Sequence, residues 1–116
     1  MPLLKIVTSA KPAAETRAKL LTELSVLLAA RLGKPEAYMM TSIEPGLEMT
    51  FGGTTGPACY VEVKNVGRFT PELTEQLSAG LCERLERALE VPKNRIYIEF
   101  SDAQGYLWGH DGETFG

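Results

Sequence analysis

The chain has 116 residues, of which 44% are hydrophobic and 23% charged, and a formal net charge of −3 at pH 7. That length suits one domain, residues 1–116, around a single core, and the acidic balance excludes the basic face of a nucleic-acid-binding protein. No apolar run approaches the roughly 18–20 residues of a membrane span, and no basic stretch followed by an apolar core opens the chain, so a cytoplasmic location is expected, with unconventional secretion as the other route.

Pro2 follows the initiator methionine. Methionine is usually trimmed before a small residue, which would leave Pro2 with a free secondary amine. Terminal amines have pKa values of about 7.7–8.0, and an apolar pocket disfavours the charged form and lowers that value. The result would be a base poised near neutral pH, as proton transfer requires. If the methionine stayed attached, the Pro2 nitrogen would be an amide without basicity.

Leu3 to Thr8 is a short apolar-rich run that reads as a strand. Pro12 to Leu32 carries Leu20, Leu24, Leu27 and Leu28, widened by Leu21 and Leu32. This is the spacing of an amphipathic helix, with Pro12 in its first turn and Gly33 at its end. Tyr38 to Ile43 predicts a second strand, and the Gly- and Thr-rich stretch from Glu44 to Pro57 a connection with a short strand around Met49–Phe51. Cys59 to Val66 alternates, Val61 and Val63 against Glu62 and Lys64, as a half-buried strand does. Thr70-Pro71-Glu72 opens a second helix with the apolar stripe Leu73, Leu77, Leu81, Leu85 and Leu89. After the Pro92–Arg95 turn, Ile96, Ile98 and Phe100 alternate with Tyr97, Glu99 and Ser101 in a fourth strand.

The order is strand–helix–strand, twice, with Gly33-Lys34-Pro35 before one closing strand and Val91-Pro92-Lys93 before the other. The predicted fold class is α/β: two βαβ units in a four-stranded sheet, with both helices on one face. The other face then needs cover, and a closed cyclic oligomer supplies it. Cys59 and Cys82 are too few, and lack the CxxC spacing, for a disulfide framework or metal site, and they read as buried inert thiols. The single His110 leaves no cluster for zinc or iron.

Met1-Pro2-Leu3, Gly33-Lys34-Pro35, Met49-Thr50-Phe51-Gly52-Gly53, Arg95-Ile96-Tyr97-Ile98 and Thr114-Phe115 occur in that order from one end of the chain to the other. Together they resemble the macrophage migration inhibitory factor family of the tautomerase superfamily, in a bacterial-type member. The resemblance implies a homotrimer whose sheets form a central barrel, with active sites between neighbouring subunits. It implies keto–enol tautomerisation of phenylpyruvate-like α-keto acids or dopachrome derivatives, with no metal or organic cofactor. Pro2 takes the position of the catalytic base and Lys34 that of the lysine facing the substrate carboxylate and carbonyl. Tyr97 matches the tyrosine contributed by the adjacent subunit, Val66 an aliphatic pocket position, and Tyr38 and Phe115 aromatic rim positions.

The chain departs from the mammalian members at three places. Glu99 stands where they carry asparagine, and a carboxylate near the amine would raise its pKa and repel an anionic substrate. His110 falls at the pocket-edge tryptophan, with Trp108 two residues earlier, so one of these two is expected to shape the mouth. Ala58 and Val61 occupy the CxxC positions, which removes the paired thiols of an oxidoreductase. The rival expectation is a binding protein with a vestigial pocket and a receptor-type protein partner. Pro12 and Pro45, at the mammalian receptor-contact positions, weigh against it. No nucleic-acid or membrane partner is expected.

Overall fold

The computed structural model describes residues 2–116; Met1, whose removal the sequence leads one to expect, lies outside them. In chain order, β1 (Leu3–Thr8), α1 (Ala14–Leu32) and β2 (Met40–Glu44) make the first unit, and β3 (Cys59–Val66), α2 (Pro71–Leu89) and β4 (Ile96–Ala103) the second. The sheet order is β2-β1-β3-β4. β1 runs parallel to β2 and β3 parallel to β4, while β1 and β3 pair antiparallel at the centre. This is the expected pair of βαβ units.

Alternation decides which strand residues face the helices. Leu4, Ile6 and Thr8 of β1 and Cys59, Val61, Val63 and Asn65 of β3 are buried, and the register sets Leu4 beside Val63 and Ile6 beside Val61. Leu20, Leu24, Leu27 and Leu28 of α1 and Leu77, Leu81, Leu85 and Leu89 of α2 close over them in one cluster. Each such side chain contributes about 1.5–3 kcal/mol by leaving water.

The two halves end their helices alike. Gly33 (φ 63) and Glu90 (φ 56) both adopt the left-handed cap. Pro35 and Pro92 follow, then 3₁₀ turns at Glu36–Tyr38 and Lys93–Arg95. The first turn is a departure from the sequence expectation: Tyr38 belongs to it, and β2 begins at Met40. α1 also begins two residues later than its pattern suggests, with Ala13 as its N-cap, no side-chain cap, and Pro12 just outside. α2 starts as expected, the Thr70 hydroxyl accepting from the Leu73 amide at 3.2 Å.

At Phe51 an isolated pairing with Thr54 replaces the short strand expected there. Gly52 (φ 58) and Gly53 (φ 77) supply the two positive φ angles that such a tight reversal demands. The C-terminal segment, which carries no clear strand pattern, folds into a 3₁₀ turn at Gly105–Leu107 and a hairpin of β5 (Gly109–His110) and β6 (Glu113–Thr114). No helix of the described residues is long and apolar enough to cross a membrane.

A Cβ in the left-handed region costs about 1–2 kcal/mol. Glu90→Gly is therefore expected to raise the urea midpoint at unchanged slope, by about 0.5–1 kcal/mol once the added freedom of the unfolded chain is counted. Leu81→Ala, in the buried stripe of α2, is expected to lower stability by about 2–5 kcal/mol in the same titration.

Candidate active site

Pro2 is buried immediately ahead of β1, and its carbonyl accepts from the Met40 amide at 3.1 Å. This bond joins the starts of the two parallel strands, so the ring sits where the 36–38 turn delivers Tyr38, Met39 and Met40. The C-terminal segment closes the opposite side. The Phe115 amide donates to the carbonyls of Gly105 at 3.1 Å and Trp108 at 3.2 Å. A Cβ on Gly105 would lie 2.6 Å from the Phe115 carbonyl oxygen, so only glycine permits this approach. The Asp111 (φ 51) and Gly112 (φ 80) turn reverses the hairpin.

Between these elements lies a cavity of about 260 Å³ lined by Pro2, Leu3, Ala37, Tyr38, Met39, Met40, Trp108, Gly109, His110 and Phe115. His110 stacks on Phe115 at 5.6 Å and 17°, and Tyr38 presents an edge contact to each, at 5.8 and 6.3 Å. Trp108 and His110 thus both line the space, where the sequence alone left the choice between them open. Pro2, Tyr38, Trp108, His110 and Phe115 come together as one apolar-walled site with a single proline at its buried end.

Val66 stands at an adjoining cavity that shares Phe115, and Lys34, outside the lining of both spaces, bonds to the Val66 carbonyl. This space, about 580 Å³, is lined by Val66, Gly67, Arg68, Asp102, Ala103, Gln104, Gly105, Leu107 and Phe115. The Lys34 ammonium donates to the Val66 carbonyl and, at 2.9 Å, to Asn65 Oδ1. Asn65 is 3% exposed and is the one amide among the inward-facing positions of β3. That break in the apolar alternation was the available sequence signal for a buried polar partner. Burial of the ammonium pulls the Lys34 pKa below its ordinary 10.5. Among the described residues the ammonium has these two acceptors for its three N–H groups.

Tyr97 and Glu99 lie elsewhere in the chain. Pro2 precedes Leu3, which pairs with Lys64 and through it Ser101, whereas Tyr97 shares the row of Tyr60 and Val7 towards the other end of the sheet. Tyr97 is 66% exposed on the open face. Glu99 accepts from the Tyr60 hydroxyl at 2.7 Å, a bond that pushes the Tyr60 pKa up to about 12.

Phe51 packs on Tyr97 at 4.8 Å, and its loop is held by Arg95, whose side chain makes five hydrogen bonds. They go to the carbonyls of Phe51, Thr54, Gly56 and Pro57 and to the Thr54 hydroxyl. Spacing alone gave no sign of this hub. Burial, and secondarily Cys82, pushes the Cys59 thiol up to about 12, and Cys82 is also raised, chiefly by burial. Neither is a ready nucleophile.

A mixed sheet built from two βαβ units, with a proline-floored aromatic cavity where β1 and β2 begin, places the chain in the tautomerase superfamily. The chain belongs to the macrophage migration inhibitory factor family, whose profile matches residues 1–116. It is 36% identical over 115 residues to the macrophage migration inhibitory factor homolog of Trichuris trichiura, covering 99% of this chain and all of that one. The crystal structure of the homologue from Prochlorococcus marinus superposes with a TM-score of 0.94 at 46% identity, over 98% of this chain and 99% of that one. The structure from Trichinella spiralis gives 0.89 at 32% identity, over 97% and 99%.

Gly105→Ala is expected to push the C-terminal segment off the 105–107 turn, shifting the emission of Trp108 and lowering the melting temperature. For Lys34, a titration followed by NMR at its side-chain carbons should give a midpoint below 10.5. With the folded-state value depressed, the cation weighs against the fold at neutral pH. That burden lifts as pH rises through the folded-state value, so the Lys34 contribution to stability increases towards pH 10.5.

Proposed function

We propose that the chain is a cofactor-free keto–enol tautomerase for aryl α-keto acids of the phenylpyruvate type, with the amine of Pro2, after removal of Met1, as general base. The observation that carries this reading is the burial of Pro2 at the floor of a cavity walled by Tyr38, Trp108 and Phe115. Such surroundings disfavour an ammonium and keep the amine available as a base near neutral pH. The amine removes a proton from the carbon next to the carbonyl, the electron pair moves on to oxygen as an enolate, and the proton returns to that oxygen. Lys34 serves the substrate carboxylate and the developing enolate. Val66 adds an aliphatic wall.

We further propose that the working form is a homotrimer, with each site completed by Tyr97 of a neighbouring copy. The support is positional. Tyr97 lies towards the opposite end of the sheet from Pro2 on an uncovered face, so it reaches a Pro2 cavity only from a second chain. Glu99, on the same face, would arrive with it and set the local charge.

The test is phenylpyruvate tautomerisation by protein whose intact mass shows methionine removed, beside Pro2→Gly processed the same way. Glycine keeps a primary amine but loses the ring-constrained secondary amine, and kcat is expected to fall by about 10²-fold; equal rates in the two would overturn the need for the proline ring. Sharing of the site has its own readout: oligomers assembled from a mixture of Pro2→Gly and Tyr97→Ala chains should be more active than either variant alone. No recovery on mixing would place the whole site in one chain.

A further inference from the structure

The outer side of the helix layer carries a second feature, which shares no residue with the Pro2 cavity. α1 and α2 leave a groove between them, made of two hollows of about 620 and 460 Å³ that have Glu23 in common. Lys19 and Arg87 line the first, Arg31 and Arg84 the second. Four cations thus flank a single carboxylate, in a chain whose net charge is −3.

That carboxylate does not satisfy both of its partners on α2. Glu23 Oε1 accepts from Arg87 Nη2 at 2.6 Å and stands 3.4 Å from Arg84 Nε without bonding to it. Arg84 Nη1 donates to the Gly80 carbonyl at 3.0 Å, so the inaccessible Nε has no acceptor among the described residues. An N–H left in that state is costly. A second carboxylate, placed on the exposed Arg87, would release Glu23 to turn towards Arg84. The groove is one anion short.

Its floor is apolar. Val26 is 53% exposed, and among the described residues no other large apolar side chain of α1 or α2 stands so open; Leu27 lies next to it in the lining. A phosphate backbone gains nothing from such a floor, whereas an amphipathic helix brings apolar groups and carboxylates at the same intervals. The proposed trimer uses the sheet face, which leaves this side open.

We propose that the α1–α2 groove is a docking surface for an acidic amphipathic helix of a partner protein. Its carboxylates pair with Arg87, Arg31 and Lys19, and its apolar side chains cover Val26. The proposal is independent of the reading of the Pro2 cavity, and phenylpyruvate turnover is not expected to respond to the substitutions below.

The probes are fluorescein-labelled peptides of about 18 residues, which as helices match the span of α1 and α2. One has leucines at i, i+3, i+4 and i+7 spacing and glutamates elsewhere; the second has lysines for the glutamates, and the third serines for the leucines. Fluorescence anisotropy at constant ionic strength compares the wild type with Arg87→Glu, Val26→Ser, Glu23→Gln and Lys11→Glu, a control whose charge changes at a different cavity. Arg87 and Val26 are exposed, so both variants should keep the fold, as circular dichroism would verify. The glutamate–leucine peptide should bind about tenfold more tightly than either of the others, and Arg87→Glu should weaken it about tenfold. Val26→Ser should weaken it about threefold. Lys11→Glu should leave it unchanged, and Glu23→Gln, which removes the competitor for Arg87, should tighten it.

Equal binding of the glutamate–leucine and glutamate–serine peptides, or no effect of Val26→Ser, would reduce the groove to attraction by charge and overturn the proposal. Preference for the lysine peptide, equal losses in Lys11→Glu and Arg87→Glu, no tightening in Glu23→Gln, or no binding of any peptide would overturn it as well. So would an oligothymidylate that binds more tightly than the peptides, because the occupant would then be a nucleic acid.

Discussion

The central antiparallel pairing of β1 with β3 is the constraint on which the rest of the molecule depends. It puts Leu4 beside Val63 and Ile6 beside Val61 on one face, and so gives α1 and α2 a single apolar surface to share. With both helices spent on that face, the other is left to the outward phase of the same strands. Ser42, Lys5, Glu62 and Glu99 form one row across it and Glu44, Val7, Tyr60 and Tyr97 another. Glu62 directly opposite Glu99 is an unfavourable cross-strand pair. The strain is eased locally, since Glu99 takes the Tyr60 hydroxyl and Glu62 lies 3.9 Å from Lys64. A face of this kind is tolerable to water.

The same pairing gives the sheet two related ends. Each βαβ unit closes with a left-handed helix cap, a proline and a 3₁₀ turn, and each turn delivers a working side chain: Tyr38 in the first unit, Arg95 in the second. At one end the C-terminal hairpin folds over the start of β1 and creates the Pro2 cavity. At the other, the 51–57 loop fills the corresponding place, pinned by Arg95 and backing Tyr97 with Phe51. A repeat that is nearly symmetrical in backbone thus becomes asymmetrical in chemistry through what its loops place at each end.

Beside Val66 the balance is between desolvation and charge. Partial burial disfavours the Lys34 ammonium, which is felt as a lowered pKa. Its two acceptors, the Val66 carbonyl and Asn65, are neutral, so they orient the group without cancelling its charge. A lysine held in this way remains able to attract an anion.

Read by itself, the sequence determined the elements whose signals are local. The limits of β1 and β3 follow from alternation, those of α2 from its leucine stripe, Thr70 and Pro71, and the scattered family motifs pointed to Pro2, Lys34 and Phe115. It was least informative where structure depends on distant partners. The start of β2 is set by the Pro2 carbonyl rather than by its own pattern, and the C-terminal hairpin exists because Phe115 docks on Gly105. Only the tertiary structure decided that Trp108 and His110 line one space, that Asn65 partners Lys34, that Arg95 holds the Phe51 loop, and that Tyr97 and Glu99 stand apart from Pro2. These arrangements depend on residues far apart in the chain, chosen by packing and hydrogen-bond satisfaction, and no periodicity of three or four residues encodes them.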